Sequence, residues 1–420
     1  MSFTMVIAFA VLMILAIPVG HGLVIAGAVA VMWDGNGLPL MLIAQQMFDQ
    51  TQSFPMLALP FFTLAGALMM GGKLGQQLLD FATEGMKRWR GGELSTTVVA
   101  SVAFGGVSGS AVANASALGG VLIPWQKKRG YPAGLTAANN ATSAVIDILI
   151  PPSIPMILYA LVSGVSVADL FIAGILPGLM MAAGFIGVCW WISKRRGYRP
   201  STEPVDRRAL LRLAIRSIPA LALPILILAG LRAGFATPTE MAVLSVVYSL
   251  LLSLLLYRDL SWKRFCQSMV EAGIATGVVM LVIMGSAVVG WLLTFDQVPA
   301  RFAEWVKATI DNKLLIILAL NILMLLIGMP LDLPPAILLL GPIFVPLAAA
   351  IGLDPVQLGL IMIINLGIGL YTPPIGTTLF ISASIARCSM AETTRELWPF
   401  FAVAMIILML VSYFPALTLY

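Results

Sequence analysis

Residues 146–156 read IDILIPPSIPM and residues 367–377 read GIGLYTPPIGT, so each stretch sets a Pro-Pro pair inside an apolar run. A continuous helix there would lose backbone hydrogen bonds and drive each ring into the preceding turn. The pairs Pro151–Pro152 and Pro373–Pro374 lie 222 residues apart, and the same interval separates Pro124 from Pro346 and Pro177 from Pro399, with no gap needed. The chain therefore carries one plan twice, with a helix broken at each Pro-Pro pair. Broken helices in matching halves are the pattern of a secondary transporter.

Composition sets the compartment. Of 420 residues, 60% are hydrophobic and 10% charged, and mean hydropathy is +0.99. A soluble globule would carry about 25% charged residues, so this chain lives in a bilayer. About ten apolar stretches approach or exceed the ~20 residues needed to cross, among them 180–193 with its upstream extension, 218–231, 241–256 and 400–419. Strand-length alternation of the outer-membrane type is absent, which makes these spans helices and the membrane a bacterial inner one. The net charge of +5 does not point to nucleic acid, because the basic residues sit in short loops beside apolar spans. Cys189, Cys266 and Cys388 are isolated, without CxxC spacing, and read as packing residues. Residues 2–17 lack a preceding basic region and a following cleavage site, so they read as a retained first span.

Charge also sets topology. Residues 34–53 contain no Lys or Arg, whereas the next polar stretch has Lys73, Lys87, Arg88 and Arg90. The first is expected outside and the second inside, with the N-terminus outside as well. Residues 93–130 then form a re-entrant hairpin, since a full crossing would leave Lys127, Lys128 and Arg129 outside. Its centre, GGVSGSAVAN over 105–114, suits a turn at membrane depth. Basic residues 194–196 return the chain inside, and residues 199–216 join the halves as a solvated linker with a surface helix. The second hairpin, 314–346, enters from the outside. Entry from opposite faces makes the repeats inverted, with a site near the bilayer midplane.

The tips and breaks expose helix ends whose carbonyls can hold a cation and whose N-termini can face an anion. In the first half the candidates are Ser108, Ser110 and Asn114 at the tip, with Ser143, Asp147 and Ile150 before the break. In the second half they are Gly328 and Asp332 at the tip, with Asn365, Gly367, Gly369 and Thr372 before the break. Ser110, Asn140, Asp332 and Asn365 form the expected substrate region. The offset maps Ser110 onto Asp332 and Asp147 onto Gly369, so each half has one membrane-depth carboxylate at a different place. Such a carboxylate is costly unless paired, which favours function; the structural alternative is a cap on a nearby helix end. Neither hairpin nor broken span contains a Lys or Arg in its interior, so a bound anion needs neutral donors, helix N-termini and a co-bound cation.

Other conspicuous residues read as structural. His21, after Pro18 in the first turn, reads as interfacial rather than as a proton relay. Glu240 fits a capping box with Thr237 as N-cap and Pro238 at N1. Trp33, Trp89, Trp190 and Trp191 read as interfacial anchors and the methionines as filler. No nucleotide-binding loop, zinc-protease helix or serine-hydrolase elbow occurs, so the chain is not read as an enzyme and a gradient or partner must drive it.

Five segments in order, GGVSGSAVANASALGGVLIP (105–124), IPPSIPMILYA (150–160), GFATPTE (234–240), GMPLDLPPAILLLGPIFVP (328–346) and the run from 351 to 380, make the chain resemble the large membrane subunit of tripartite ATP-independent periplasmic (TRAP) transporters, the DctM-like family. The resemblance implies an all-α inverted-repeat elevator with two re-entrant hairpins and two broken helices. It would be divided as first scaffold helices and arm (1–93), first transport repeat (94–193), linker and second scaffold (194–313) and second transport repeat (314–420). It further implies sodium as coupling ion, with sites at 108–114 with 143–151 and at 328–332 with 367–373, and no other cofactor. Sialic acids, C4-dicarboxylates or sugar acids would enter from a soluble periplasmic binding protein, with a separate small four-helix membrane subunit beside the scaffold. Asp147 stands where a small residue is expected, and Asn139–Asn140 is more polar than expected. The competing readings are a self-sufficient sodium- or proton-coupled dicarboxylate-type symporter, a channel and a membrane enzyme.

Overall fold

A computed structural model describes residues 1–33, 37–70, 72–200 and 206–418, and among them every regular element is helical. Parts of the expected outer stretch (34–36) and linker (201–205) lie outside these residues. The first repeat runs through Ser2–Ile14, Val19–Trp33, Met41–Thr51, Ala58–Met70 and the surface arm Lys73–Met86. Its first hairpin pairs Gly92–Ser108 with Ala111–Lys128. The first broken helix follows: Ala133–Ser143 tightens into a 3-10 turn over Ala144–Ile148, stops, and resumes as Ile154–Ser163 before the span Val167–Arg195. The second repeat has Arg207–Arg232, Pro238–Leu251, Trp262–Phe295 and the arm Val298–Thr309. Then come the second hairpin, Lys313–Gly328 with Leu333–Ala350, the second broken helix, Pro355–Gly369 with Thr377–Ala386, and the span Met390–Tyr413.

The interval of 222 carries Ala111–Lys128 onto Leu333–Ala350 at both ends and the start of Ala133–Ser143 onto Pro355. It also reaches beyond the prolines that reveal it. Lys73–Met86 falls on Val298–Thr309, and Met41–Thr51 with Ala58–Met70 falls inside the single helix Trp262–Phe295. Packing is reciprocal across the repeats. Ala111–Lys128 lies on Thr377–Ala386 while Leu333–Ala350 lies on Ile154–Ser163, and Val19–Trp33 packs on Trp262–Phe295 while Pro238–Leu251 packs on Ala58–Met70. Such exchange is what a pseudo-two-fold relation between repeats produces.

Six helices among the described residues are long and apolar enough to cross a membrane, fewer than the ten stretches the hydropathy suggests. The apolar runs are as long as read, but tips and breaks divide several into pieces of half a bilayer: Ile154–Ser163, Lys313–Gly328, Pro355–Gly369 and Thr377–Ala386 are 10 to 16 residues long. Residues 34–53 are also not all loop, since Met41–Thr51 is helical. Thr237 and Glu240 form the expected capping box: Thr237 Oγ1 accepts the Glu240 N–H and Glu240 Oε2 accepts the Thr237 N–H. Lys194 and Arg195 lie over the Trp190 and Trp191 rings at 5.0 and 5.4 Å, as befits an interfacial belt.

One large apolar core holds both hairpins and both broken helices, including Phe104, Leu118, Ile146, Tyr159, Ile337, Leu366 and Leu379. Two smaller clusters, around Leu23 with Val288 and around Leu68 with Val246, hold the paired scaffold helices. Small residues permit the closest crossings, because lipid offers no hydrophobic drive and association rests on close contact. A Cβ on Gly27 would reach Val288 Cγ1 at 2.5 Å, and one on Gly285 would reach the Gly20 carbonyl oxygen at 2.9 Å. In the second repeat, a Cβ on Gly369 would lie 2.5 Å from the Gly328 carbonyl oxygen, backbone against backbone. Gly369→Ala is therefore expected to cost about 1–3 kcal/mol and to lower the thermal midpoint of the purified protein. Gly187→Ala, where nothing lies within 4 Å, is expected to leave the midpoint unchanged or raise it. Equal effects of the two would contradict this packing.

Candidate cation and substrate site

The first hairpin turns at Gly109, in the left-handed region with φ 63°, where a Cβ would meet the Pro152 carbonyl oxygen at 2.5 Å. Glycine supplies both the turn and the close approach of tip to break. Ser110 then caps the second arm by accepting the Ala113 N–H. At the break, Ser153 serves both sides: its hydroxyl donates to the Ile148 carbonyl at 2.6 Å and accepts the Met156 N–H at 3.4 Å. Asp147, 0% exposed, reaches across to the tip. Its Oδ1 accepts the Gly109 N–H at 3.3 Å and its Oδ2 the Ser110 N–H at 3.1 Å. The carboxylate thus meets two backbone donors that the end of a membrane-buried helix would otherwise leave unpaired.

The second half reaches the same end differently. Thr372 and Thr378 hydroxyls donate to the Ile368 and Leu370 carbonyls at 2.6 and 2.9 Å, and the Thr378 N–H donates to Leu370 as well. Asp332 is the N-cap of Leu333–Ala350 but makes no capping bond, and Pro334 and Pro335 follow without N–H groups. Its carboxylate is exposed. Tyr371 OH and Thr377 Oγ1 are buried at this break without a hydrogen-bond partner among the described residues.

Both tips and both breaks converge on one cavity of about 650 Å³, within the size range of ligand sites. Gly109 and Ser110 come from the first tip, Ile148 and Ile154 from the first break, Asp332 to Pro335 from the second tip and Leu370 from the second break. The opposite wall comes from the start of Val19–Trp33 and from Trp262–Phe295: Pro18, Gly20 and His21 with Ala275, Val278 and Val282. Asp332 is the one acidic side chain in this lining, which contains no Lys or Arg.

Of the residues singled out from sequence, Ser110 and Asp332 line the cavity. Ser108 and Asn114 lie buried at the first tip; Asn114 Oδ1 accepts from Ser101, and its Nδ2 has no partner among the described residues. Ile150 packs against Gly105 and Gly178, and Ser143 donates to Asn139. Gly367 marks the crossing of the two broken helices, where a Cβ would meet Val145 and Ile148 at 2.8 Å. Gly328 and Gly369 form the close contact described above. Asn140 lies outside the cavity lining and ties the repeats together, its Nδ2 donating to the Ala115 carbonyl and to Ser382 Oγ, both at 2.9 Å. Asn365 also lies outside it, donating to Asn321. His21, read from sequence as interfacial, lines the cavity instead. Its position in the chain resembles that of any interfacial turn, so only the packing of its helix against Trp262–Phe295 reveals where it faces. Ser153 carried a usable signal, since a serine after Pro-Pro and before an apolar run has the form of an N-cap.

Among the described residues no group of three or more His, Cys, Asp or Glu side chains could hold a metal. A cation here would rest on carbonyl and hydroxyl oxygens with a single carboxylate at each half, a donor set suited to an alkali ion. Asp147→Ala would leave two buried N–H groups unpaired, at about 1–3 kcal/mol each. Its thermal midpoint is expected to fall further than that of Asp147→Asn, which keeps one acceptor oxygen; the reverse order would exclude this contact.

The family profile described as the DctM component of the tripartite ATP-independent periplasmic transporter matches residues 6–417. A protein of Sinorhizobium fredii named y4mL is 70% identical over 100% of both chains. The C4-dicarboxylate TRAP transporter large permease protein DctM of Pseudomonas aeruginosa is 34% identical, over 90% of this chain and 88% of that one. The solved structure of the Alcanivorax borkumensis YdaH transporter covers 92% of this chain and 90% of its own, with a TM-score of 0.63 at 14% identity, and so shares the fold. The whole-chain profile match and the full-length relatives lead to one conclusion: this chain belongs to the DctM family, the large membrane permease subunits of tripartite ATP-independent periplasmic transporters, which are transport proteins and not enzymes.

Proposed function

We propose that this subunit imports an organic acid of the sialic acid, C4-dicarboxylate or sugar-acid class, driven by sodium, with the cargo handed over by a soluble periplasmic binding protein. A separate small four-helix membrane subunit enlarges the scaffold. Both termini face the periplasm, in keeping with the Lys- and Arg-rich loops on the opposite side. The two hairpins and broken helices move together as a transport domain against the scaffold, in the manner of an elevator.

The observation that carries this reading is the central cavity, which gathers both tips, both breaks and the scaffold around one space. Helix ends meeting there supply what an alkali ion needs and what an anion needs. With no Lys or Arg in the lining, bound cations must balance an acid, which ties cargo binding to sodium binding.

Coupling is tested without cargo by the thermal midpoint of the purified chain against sodium, with choline or potassium holding ionic strength constant. A ligand that binds only the folded state stabilises it by about 2.7 kcal/mol at a hundredfold excess over Kd. A sodium-specific rise that Asp332→Ala blunts is expected; an equal rise in potassium would refute selective coupling. Dependence on partners has its own test. Proteoliposomes holding this chain alone should show no sodium-driven uptake of succinate, N-acetylneuraminate or gluconate, whereas chain plus both partners should take up one of them. Uptake by the chain alone would favour the self-sufficient symporter.

A further inference from the structure

A second recess, of about 340 Å³, opens between Met41–Thr51, the end of Ile154–Ser163, the C-terminal half of Trp262–Phe295 and the second arm of the second hairpin. It shares two walls with the central cavity. Trp262–Phe295 presents Ala275, Val279 and Val282 to the cavity and then Ser286, Gly290 and Thr294 to the recess. Those steps of three and four residues keep to one helix face. The hairpin arm presents Pro335 to the cavity and Leu338 and Pro342 to the recess, again at helical spacing. The two spaces are thus successive stretches of one slot between scaffold and hairpin.

The chemistry of the slot changes along it. A Cβ on Gly290 would lie 3.7 Å from Pro342 Cγ, an ordinary contact. The cavity stretch of the long helix is apolar, whereas the recess has Ser286, Thr294, Gln46 and Gln50. Thr294 donates to the Gly290 carbonyl at 2.8 Å. Ser286, 3% exposed, has no hydrogen-bond partner for its hydroxyl among the described residues. A buried hydroxyl left unpaired calls for an explanation, and a partner that arrives in another state is one.

We infer that this recess is the seat of the second hairpin's tip, and of the cargo beside it, in the opposite-facing state of the transporter. The inference rests on the alternating-access reading above and adds a register to it. Pro335 and Pro342 are seven residues apart, two helical turns, so a slide of about 10 Å along the scaffold helix brings Pro335 to the place where Pro342 now faces Gly290. The tip then leaves an apolar wall for one with neutral hydrogen-bonding groups. Neutral amides and hydroxyls orient an oxygen-rich acid without adding a charge that would hold it there.

The register is tested by cysteine pairs cross-linked in native membranes with a short bismaleimide, with single-cysteine variants controlling for Cys189, Cys266 and Cys388. Gly290→Cys with Pro342→Cys is expected to cross-link and reports the arrangement seen here. Gly290→Cys with Pro335→Cys is expected to cross-link as well, in the population that has slid. Cross-linking of the Pro342 pair without the Pro335 pair would overturn the inference, and so would failure of both. The sodium dependence of the thermal midpoint, read on the same variants before cross-linking, keeps the two readings apart. Persistent sodium stabilisation without the Pro335 cross-link leaves coupling intact and removes the seat. Both cross-links without sodium stabilisation would keep the seat and remove the coupling.

Discussion

Helices that stop inside a membrane must find partners for the backbone groups that stopping sets free, and the rest of this structure depends on how that is done. In water the freed N–H and C=O groups would be solvated at little cost; in hydrocarbon each would cost several kcal/mol. Here tip and break answer one another. Asp147 takes the N–H groups of the first tip, and Ser153, Thr372 and Thr378 take the carbonyls of the breaks. Because Asp147 and the N–H groups it takes lie on different elements, hairpin and broken helix of the first half must stay together, and the junction has to be enclosed by protein. The result is a polar centre inside an apolar body.

The repeats solve this problem unequally. Asp147 in the first half corresponds to Gly369 in the second, where the space a side chain would take is filled by the Gly328 backbone. One junction is held by hydrogen bonds from the tip's N–H groups to a side-chain carboxyl and the other by close packing of backbone on backbone. The second tip keeps its own carboxylate, Asp332, which makes no capping bond and faces the cavity. An internally symmetric backbone thereby acquires an asymmetric distribution of charge.

The scaffold obeys the same exchange at larger scale. Val19–Trp33 lies on Trp262–Phe295, through glycines that let the backbones approach, as Pro238–Leu251 lies on Ala58–Met70. Val19–Trp33 and Trp262–Phe295 share a small cluster of their own, whereas Ala58–Met70 and Pro238–Leu251 divide their buried residues between a small cluster and the large core of hairpins and broken helices. The central cavity has its polar groups mainly on the hairpin side and a largely apolar wall from Val19–Trp33 and Trp262–Phe295 opposite.

Much of this was legible in the chain. Composition fixed the bilayer as solvent, and prolines kept in step over 222 residues exposed both the duplication and the breaks, because a helix cannot run through Pro-Pro whatever surrounds it. The Gly- and Ser-rich tip and the placement of Lys and Arg suggested the hairpins for equally local reasons. What local rules could not decide was direction. Asn365 and Asn140 stand beside the breaks in sequence yet turn away from the cavity, toward Asn321 and toward Ser382 of the opposite repeat. His21 follows Pro18 in sequence as a turn residue would, yet it lies in the first turn of Val19–Trp33 and faces the cavity because that helix packs on Trp262–Phe295. The sequence by itself determined the solvent, the repeat and the places where helices must stop, since these follow from properties of adjacent residues. Tertiary structure alone decided which polar groups share a site, since that depends on contacts between repeats more than 200 residues apart.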